Sequence, residues 1–388
     1  MAPKLQLTWT WYAMNGPKAR FVRCMLMAIV SSSVAACEMS ADGPPSGGHA
    51  GGTAGSGGAT LGVDSTGGAG TSGSTGVGGA SGGIGDAGGA KGMPSPDAGS
   101  PSGFWDTSDI PAAKNVMMFK FLNRTNGKYQ DSEVYWSFKT SNVSEVHSLA
   151  EQPLYDMPAN TSGRMYFYLG APQSKYYDFI EFTIGPTRFN GNTIRVDAFG
   201  IKIAMRLHCA DGYDVAVGED YATFQEDRAV TFQRFVDEVP DEFKPLAQIQ
   251  APYRIVEPGA GDFKTGGKYE HYYDAYVDQV WAANGLTIPK PGANASGLGA
   301  YPNLSAAIFR HVGDTPQTFT ADGKLNDKTL WADSSSFYTA PPANYYAKFW
   351  HSHGQSAKAY GFPYDDVGGY STYVSHDSPQ YVLVAIGW

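Results

Sequence analysis

The sequence predicts a mainly β protein with an α/β part: a β-barrel or β-sandwich whose two halves flank a helical middle. Three observations carry this reading. Short stretches between residues 116 and 208 alternate apolar with polar or aromatic residues, the period of a half-buried strand. Between residues 223 and 284 the period lengthens to that of a helix. Residues 381–386, YVLVAI, form a strongly apolar strand at the very end of the chain. A strand so placed is expected to return to the sheet begun near residue 116.

The folded part is expected to start near residue 111. Residues 24–36, CMLMAIVSSSVAA, are a short apolar run preceded by Lys18, Arg20 and Arg23. That is the layout of a secretory signal, and the run is too short to span a bilayer. Met14 would give a leader of more ordinary length. The run ends in Val34-Ala35-Ala36-Cys37, which has the form of a bacterial lipobox, so Cys37 is the expected site of lipidation and the only expected tie to a membrane. Export to the bacterial surface or medium follows. From there to about residue 103 the chain is Gly, Ser, Thr, Ala and Pro, with almost nothing to bury against the entropy of ordering. It reads as a flexible tether. The division is therefore a signal at 1–36, the lipobox and tether at 37–110, a β-rich part at 111–210 and 343–388, and a mixed α/β part at 211–342.

Within the β-rich part, residues 116–122 and 134–138 read as strands separated by an Asn126-Gly127 turn signal. Residues 157–163 read as loop and 164–169 as a further strand. The stretch 176–208, YYDFIEFTIGPTRFNGNTIRVDAFGIKIAMRLH, reads as two strands around a loop rich in Gly, Pro and Asn. On the first, Ile180, Phe182 and Ile184 share one face, while Phe179, Glu181 and Thr183 share the other. On the second, Val196 and Ala198 alternate with Arg195, Asp197 and Phe199.

The helical middle opens with Thr223-x-x-Glu226, read as a capping box for one helix that ends at Pro240. A second helix, 269–284, carries tyrosines and Trp281 on a broad apolar side, with Gly285 as terminator. Short segments follow at 304–309 and 319–331. From residue 343 the texture is again aromatic and β-like.

Composition excludes some classes. There are 28 basic against 37 acidic residues, a net charge of -9, the wrong sign for a nucleic-acid binder. Of three cysteines only Cys209 lies in the folded part, so no disulfide is available there. The 24 tyrosines suit sugar rings, each offering a flat apolar face and a hydroxyl. No cofactor fingerprint is present, and His351 and His353, which would share one face of a strand, lack an apparent third metal ligand.

Carboxylates are seldom buried without a partner, so Glu181 and Asp197, one on each strand of an apolar setting, call for a reason. Two acids on neighbouring strands facing one cleft are the minimum equipment for hydrolysing a glycosidic bond, and an inverting pair needs about 6.5–9.5 Å between them. The alternative is that one of them is a structural partner of Arg195 or Arg206. Asp365 and Asp366 form a second acidic centre, with turn anchoring beside Gly368 and Gly369 as its alternative. Asp178 is a third.

The block FYLGAPQSKYYDFIEFTI, the run NTIRVDAFGIKIAMRLH and the late YGFPYDDV with its terminal IGW resemble the glycoside hydrolase family 64 β-1,3-glucanases across residues 113–388. The resemblance implies a β-barrel part and a thaumatin-like α/β part flanking a wide groove. It implies endo-type, inverting cleavage of β-1,3-glucan with laminaripentaose as product, with no cofactor and no required metal, by a chain expected to be monomeric. By motif, the general acid falls on Glu181 and the general base on Asp197. Thr183, Tyr364, Asp365 and Asp366 fall among the expected substrate contacts. Phe189 stands roughly where the family pattern has Trp. A non-catalytic glucan-binding module of the same fold is the alternative function.

Overall fold

A computed structural model describes residues 103–139, 144–326 and 334–388. The expected signal, Cys37, the tether up to residue 102 and Trp331 lie outside the described residues.

Thirteen strands are described: β1 (Met117–Arg124), β2 (Val134–Lys139), β3 (Ser144–Ser148), β4 (Leu154–Met157), β5 (Thr161–Leu169), β6 (Tyr177–Ile184), β7 (Arg188–Thr193), β8 (Ala198–Phe199), β9 (Lys202–Cys209), β10 (Asp214–Gly218), β11 (Ile255–Val256), β12 (Val374–Asp377) and β13 (Pro379–Gly387). Two sheets stack face to face. One has the order β10-β9-β13-β1-β4, the other β12-β7-β6-β5-β2-β3, and a small ribbon pairs β11 with β8. Among the described residues neither large sheet closes on itself, so the architecture is a sandwich and the barrel expectation is corrected. Closure depends on pairing between sheet edges, which no local pattern encodes.

One core fills the space between the sheets. Phe119, Phe121, Met205, Leu207, Val382 and Val384 come from the first, and Trp136, Phe167, Ile180 and Phe182 from the second. Each such side chain contributes about 1.5–3 kcal/mol on burial. The C-terminal strand β13 does return to β1, pairing with it in parallel while pairing antiparallel with β9. Its other face, Leu383 and Ala385, is covered by Phe104, Trp105 and Phe224. Burial on both faces explains its unbroken apolar run.

Asn126 and Gly127 both have positive φ, as the Asn-Gly signal requires. Their turn nevertheless joins strands of different sheets, because β1 pairs with β13 and β4 whereas β2 pairs with β3 and β5.

The helical middle contains α1 (Tyr221–Gln225), α2 (Arg228–Glu238), α3 (Asp274–Asn284) and α4 (Pro302–Arg310), followed by α5 (Tyr345–Ser352). The single helix expected after Thr223 is two. Asp220 caps the first through the Thr223 amide, and Asp227 caps a new one through Ala229, so Thr223 is interior and buried. Helix α3 ends at Gly285 with φ +58, the left-handed terminator expected there. Helix α5 overturns the β texture expected after residue 343. Asn344 accepts a hydrogen bond from the Ala347 amide, and Tyr346, Ala347, Phe349 and Trp350 are buried at helical spacing.

Candidate active site

The alternation on β6 places Ile180, Phe182 and Ile184 in the sandwich core, which turns Phe179, Glu181 and Thr183 to the outer face of the six-stranded sheet. Register then decides the neighbours of Glu181. Arg164 of β5 lies opposite on one side and Asn192 of β7 on the other. In the next row Ser162, Thr183 and Asn190 are aligned, and the Ser162 and Thr183 hydroxyls are 2.8 Å apart.

Asp197 is not on a strand. β7 stops at Thr193, and the chain bends through 194–197 before β8. Long-range bonds pull it off the sheet: the Arg195 amide donates to the Tyr360 carbonyl, the Tyr346 hydroxyl donates to the Arg195 carbonyl, and the Glu257 amide donates to the Asp197 carbonyl. Ile194 packs with Phe179 and Tyr360 beneath the bend.

The bend brings the two acids to one cation. Arg164 Nε donates to Glu181 Oε1 at 2.7 Å, and Arg164 Nη1 donates to Asp197 Oδ2 at 3.3 Å. Because one rigid fork makes both contacts, the two oxygens lie no more than about 8 Å apart, within the reach of a two-carboxylate mechanism. Arg164 itself lies over the Phe179 ring, 4.3 Å from its centroid. The partner expected at Arg195 or Arg206 is therefore Arg164. Arg195 is paired with Asp178 and Glu219, and Arg206 with Asp214.

The acids sit in contrasting surroundings. The Glu181 side chain is 10% exposed and the Asp197 side chain 49%. Glu181 Oε2 is buried without a hydrogen-bond partner among the described residues. Burial pushes the Glu181 carboxyl above the usual range; Arg164 opposes this, and Asp197 adds to it.

The late motif lies beside this face. The buried Tyr360 phenol is raised by burial first, then by the charges of Asp366, Asp365 and Glu181. Tyr360 and Arg164 are the neighbours that residue patterns alone missed. Tyr360 does open the YGFPYDDV segment, whereas Arg164 carries no signal until the register of β5 on β6 is known.

The other expected contacts divide. Thr183 shares the outer face with Glu181, and Asp366 is exposed. Asp365 is fully buried, 2.8 Å from Arg310 and 2.9 Å from His351, and accepts from the Gly361 amide. It anchors the motif and has no surface to offer a sugar, a correction to its expected role. Tyr364 is half-buried with φ +72, and its hydroxyl donates to the Gly299 carbonyl. Asp178 is likewise wholly buried in ion pairs. His351 and His353 diverge: the first serves Asp365, and the second meets Glu238 at 2.8 Å. Phe189 is fully buried in the sandwich core, so it adds nothing to the outer face.

The family model for the β-1,3-glucanases of glycoside hydrolase family 64 matches residues 171–288 and 289–386. The laminaripentaose-producing β-1,3-glucanase of this family from Paenibacillus barengoltzii is similar at 29% identity and a TM-score of 0.60, covering 73% of this chain and 78% of that one. Its complex with laminarihexaose gives the same figures. A β-1,3-glucanase domain from Clostridium beijerinckii shares the fold, with a TM-score of 0.60 at 20% identity, covering 72% of this chain and all of that one. No curated protein matches.

Proposed function

The chain belongs to glycoside hydrolase family 64, the β-1,3-glucanases, and from that membership we propose that Glu181 and Asp197 perform its hydrolysis as general acid and general base. The enzyme cuts β-1,3-glucan from within and releases laminari-oligosaccharides, as family and structural similarity indicate. The proton on Glu181 passes to the glycosidic oxygen as its bond to the anomeric carbon breaks. A water oxygen bonds to that carbon from the opposite face, and its proton goes to Asp197, so the configuration inverts. The observation that carries this reading is the asymmetry around one guanidinium: a largely buried carboxyl beside a half-exposed carboxylate.

Thr183, Asn190 and Asp366 are our candidates for glucan contacts, on the outer face and its margin. The pentaose-forming activity named for the 29%-identical Paenibacillus enzyme supports laminaripentaose as the product. We read the helical middle as the thaumatin-like part and the outer face of the six-stranded sheet as one wall of the groove. We also propose export, a lipid anchor on Cys37 and action as a monomer. No helix among the described residues is long and apolar enough to cross a membrane.

The test incubates wild type, Glu181→Gln and Asp197→Asn with linear β-1,3-glucan and follows new reducing ends, oligosaccharide length and the anomer first formed. Loss of about 10²–10⁴-fold in each variant with the fold intact supports the pair, and an α-anomer supports inversion. Wild type that binds glucan without cutting it would point instead to a binding module.

A further inference from the structure

Arg164 touches both proposed catalytic carboxylates, through different nitrogens of one guanidinium. Its contact with Glu181 occupies Oε1, while Oε2 is buried with no hydrogen-bond partner among the described residues. We propose that Arg164 is the positioning residue of the acid–base pair: through two nitrogens of one rigid fork it holds Glu181 and fixes Asp197 relative to it. This rests on Glu181 and Asp197 being that pair.

Charge accounting supports the role. Before the reaction Glu181 is neutral and Asp197 carries one negative charge. Afterwards Glu181 carries it and Asp197 is neutral. The pair thus holds a single negative charge throughout, which moves from one carboxylate to the other. A guanidinium in contact with both stays opposite that charge without moving, so no reorganisation is required as the charge shifts. Arginine suits this because its donors are fixed in a plane and its charge is permanent. An ammonium offers a single nitrogen and cannot span the same two contacts. Among the described residues, Tyr166 from β5 faces Arg164, and Tyr360 from the C-terminal segment faces Glu181 with Asp366 and Asp365 of its own segment behind it. The Phe179 ring beneath Arg164 and the half-buried state of its side chain hold the fork in place.

The test compares Arg164→Met and Arg164→Lys with wild type, using kcat, KM and the pH profile of kcat/KM on linear β-1,3-glucan, with near-UV circular dichroism to report folding. In Arg164→Met we expect kcat to fall about 10²-fold with KM changed far less. We also expect the basic limb to move to higher pH, because Glu181 keeps its proton longer once its cation is gone. Arg164→Lys is expected to fold, to recover part of kcat, and to keep a displaced limb. Should Arg164→Met not fold, the lysine variant carries the test. A folded variant with unmoved pH limbs, or with kcat within threefold of wild type, overturns the positioning role. Glu181→Gln and Asp197→Asn, measured alongside, separate the two claims. Their inactivity with an unshifted Arg164 profile rejects this inference alone, whereas their full activity rejects the acid–base pair itself.

Discussion

Arg195 Nη1 lies 2.9 Å from Asp178 Oδ2, with Asp178 wholly shielded from water and Arg195 nearly so. Asp178 is on β6, three residues before Glu181, and Arg195 is in the bend, two residues before Asp197. The ion pair therefore ties the strand that holds one carboxylate to the bend that holds the other. Glu219 accepts from Nε and Nη2 of Arg195, the Ile194 and Ile201 carbonyls accept from the same fork, and the Gly200 amide donates to Asp178 at 2.9 Å. Charge is tolerated here because nearly every donor and acceptor has a partner.

Removing one member of this brace should cost far more than a surface pair. Asp178→Ala strips Arg195 of one partner and leaves the Gly200 amide unmet. We expect a loss of about 3–5 kcal/mol in urea unfolding, with activity falling as the bend loosens. A loss below about 1 kcal/mol, the scale of an exposed pair, would show that the brace is not what holds the two segments.

Gly200 sets a second limit. A β-carbon added there would stand 1.9 Å from the Tyr177 carbonyl oxygen, a backbone atom on the strand of Glu181. That strand has to move to accommodate it, so Gly200→Ala should destabilise by about 3 kcal/mol and lower kcat. Gly185→Ala is the control. Its β-carbon would meet nothing nearer than 3.7 Å, so a change within about 0.5 kcal/mol is expected. Equal effects at the two sites would contradict the packing argument.

Asp365 links stability to acid. Burial alone would raise its carboxyl, but His351 and Arg310 outweigh that and hold it below the usual carboxylate range. A depressed folded-state value means that the stabilisation is full above the unfolded-state value, near 4, and is lost as pH falls through the lower folded value. Asp365→Asn should therefore be clearly less stable than wild type at pH 7, with the gap narrowing on acidification below pH 4. Thermal melts across that range check it. A gap independent of pH would assign the loss to packing alone.

The sequence carries the strands more plainly than it carries the site. The alternation of Ile180, Phe182 and Ile184 against Phe179, Glu181 and Thr183 is a local pattern, and it already sets Glu181 apart as a carboxylate on an aromatic face. Residues 194–198 show the same alternation, yet Asp197 lies in a bend because Tyr346, Tyr360 and Glu257 claim the backbone around it. Those bonds come from distant segments and leave no trace in the period. Arg164 is decided by register, and the burial of Asp365 by Arg310, 55 residues earlier. Helix α5 was legible in principle: Asn344 before apolar residues at helical spacing is a cap signal, masked by the aromatic texture of the segment.

Glu181 should burden the fold at neutral pH. Its carboxyl is raised by burial, with Arg164 opposing and Asp197 adding. A raised folded-state value means that the folded protein holds its proton where the unfolded chain has released it. Stability then falls as pH rises from the unfolded-state value, about 4.3, through the folded value, and is constant beyond it. Glu181→Gln keeps the shape and an acceptor for Arg164 but removes the ionisation. The variant should match wild type near pH 4 and exceed it in melting temperature at pH 7–8, while being inactive throughout. That combination, stability gained where catalysis is lost, is expected of a group kept under strain for chemistry. If Glu181→Gln is instead less stable at pH 7 than at pH 4 relative to wild type, the ionised carboxylate is stabilised by Arg164 more than burial disfavours it. Glu181 would then be half of a structural ion pair and could not serve as the acid.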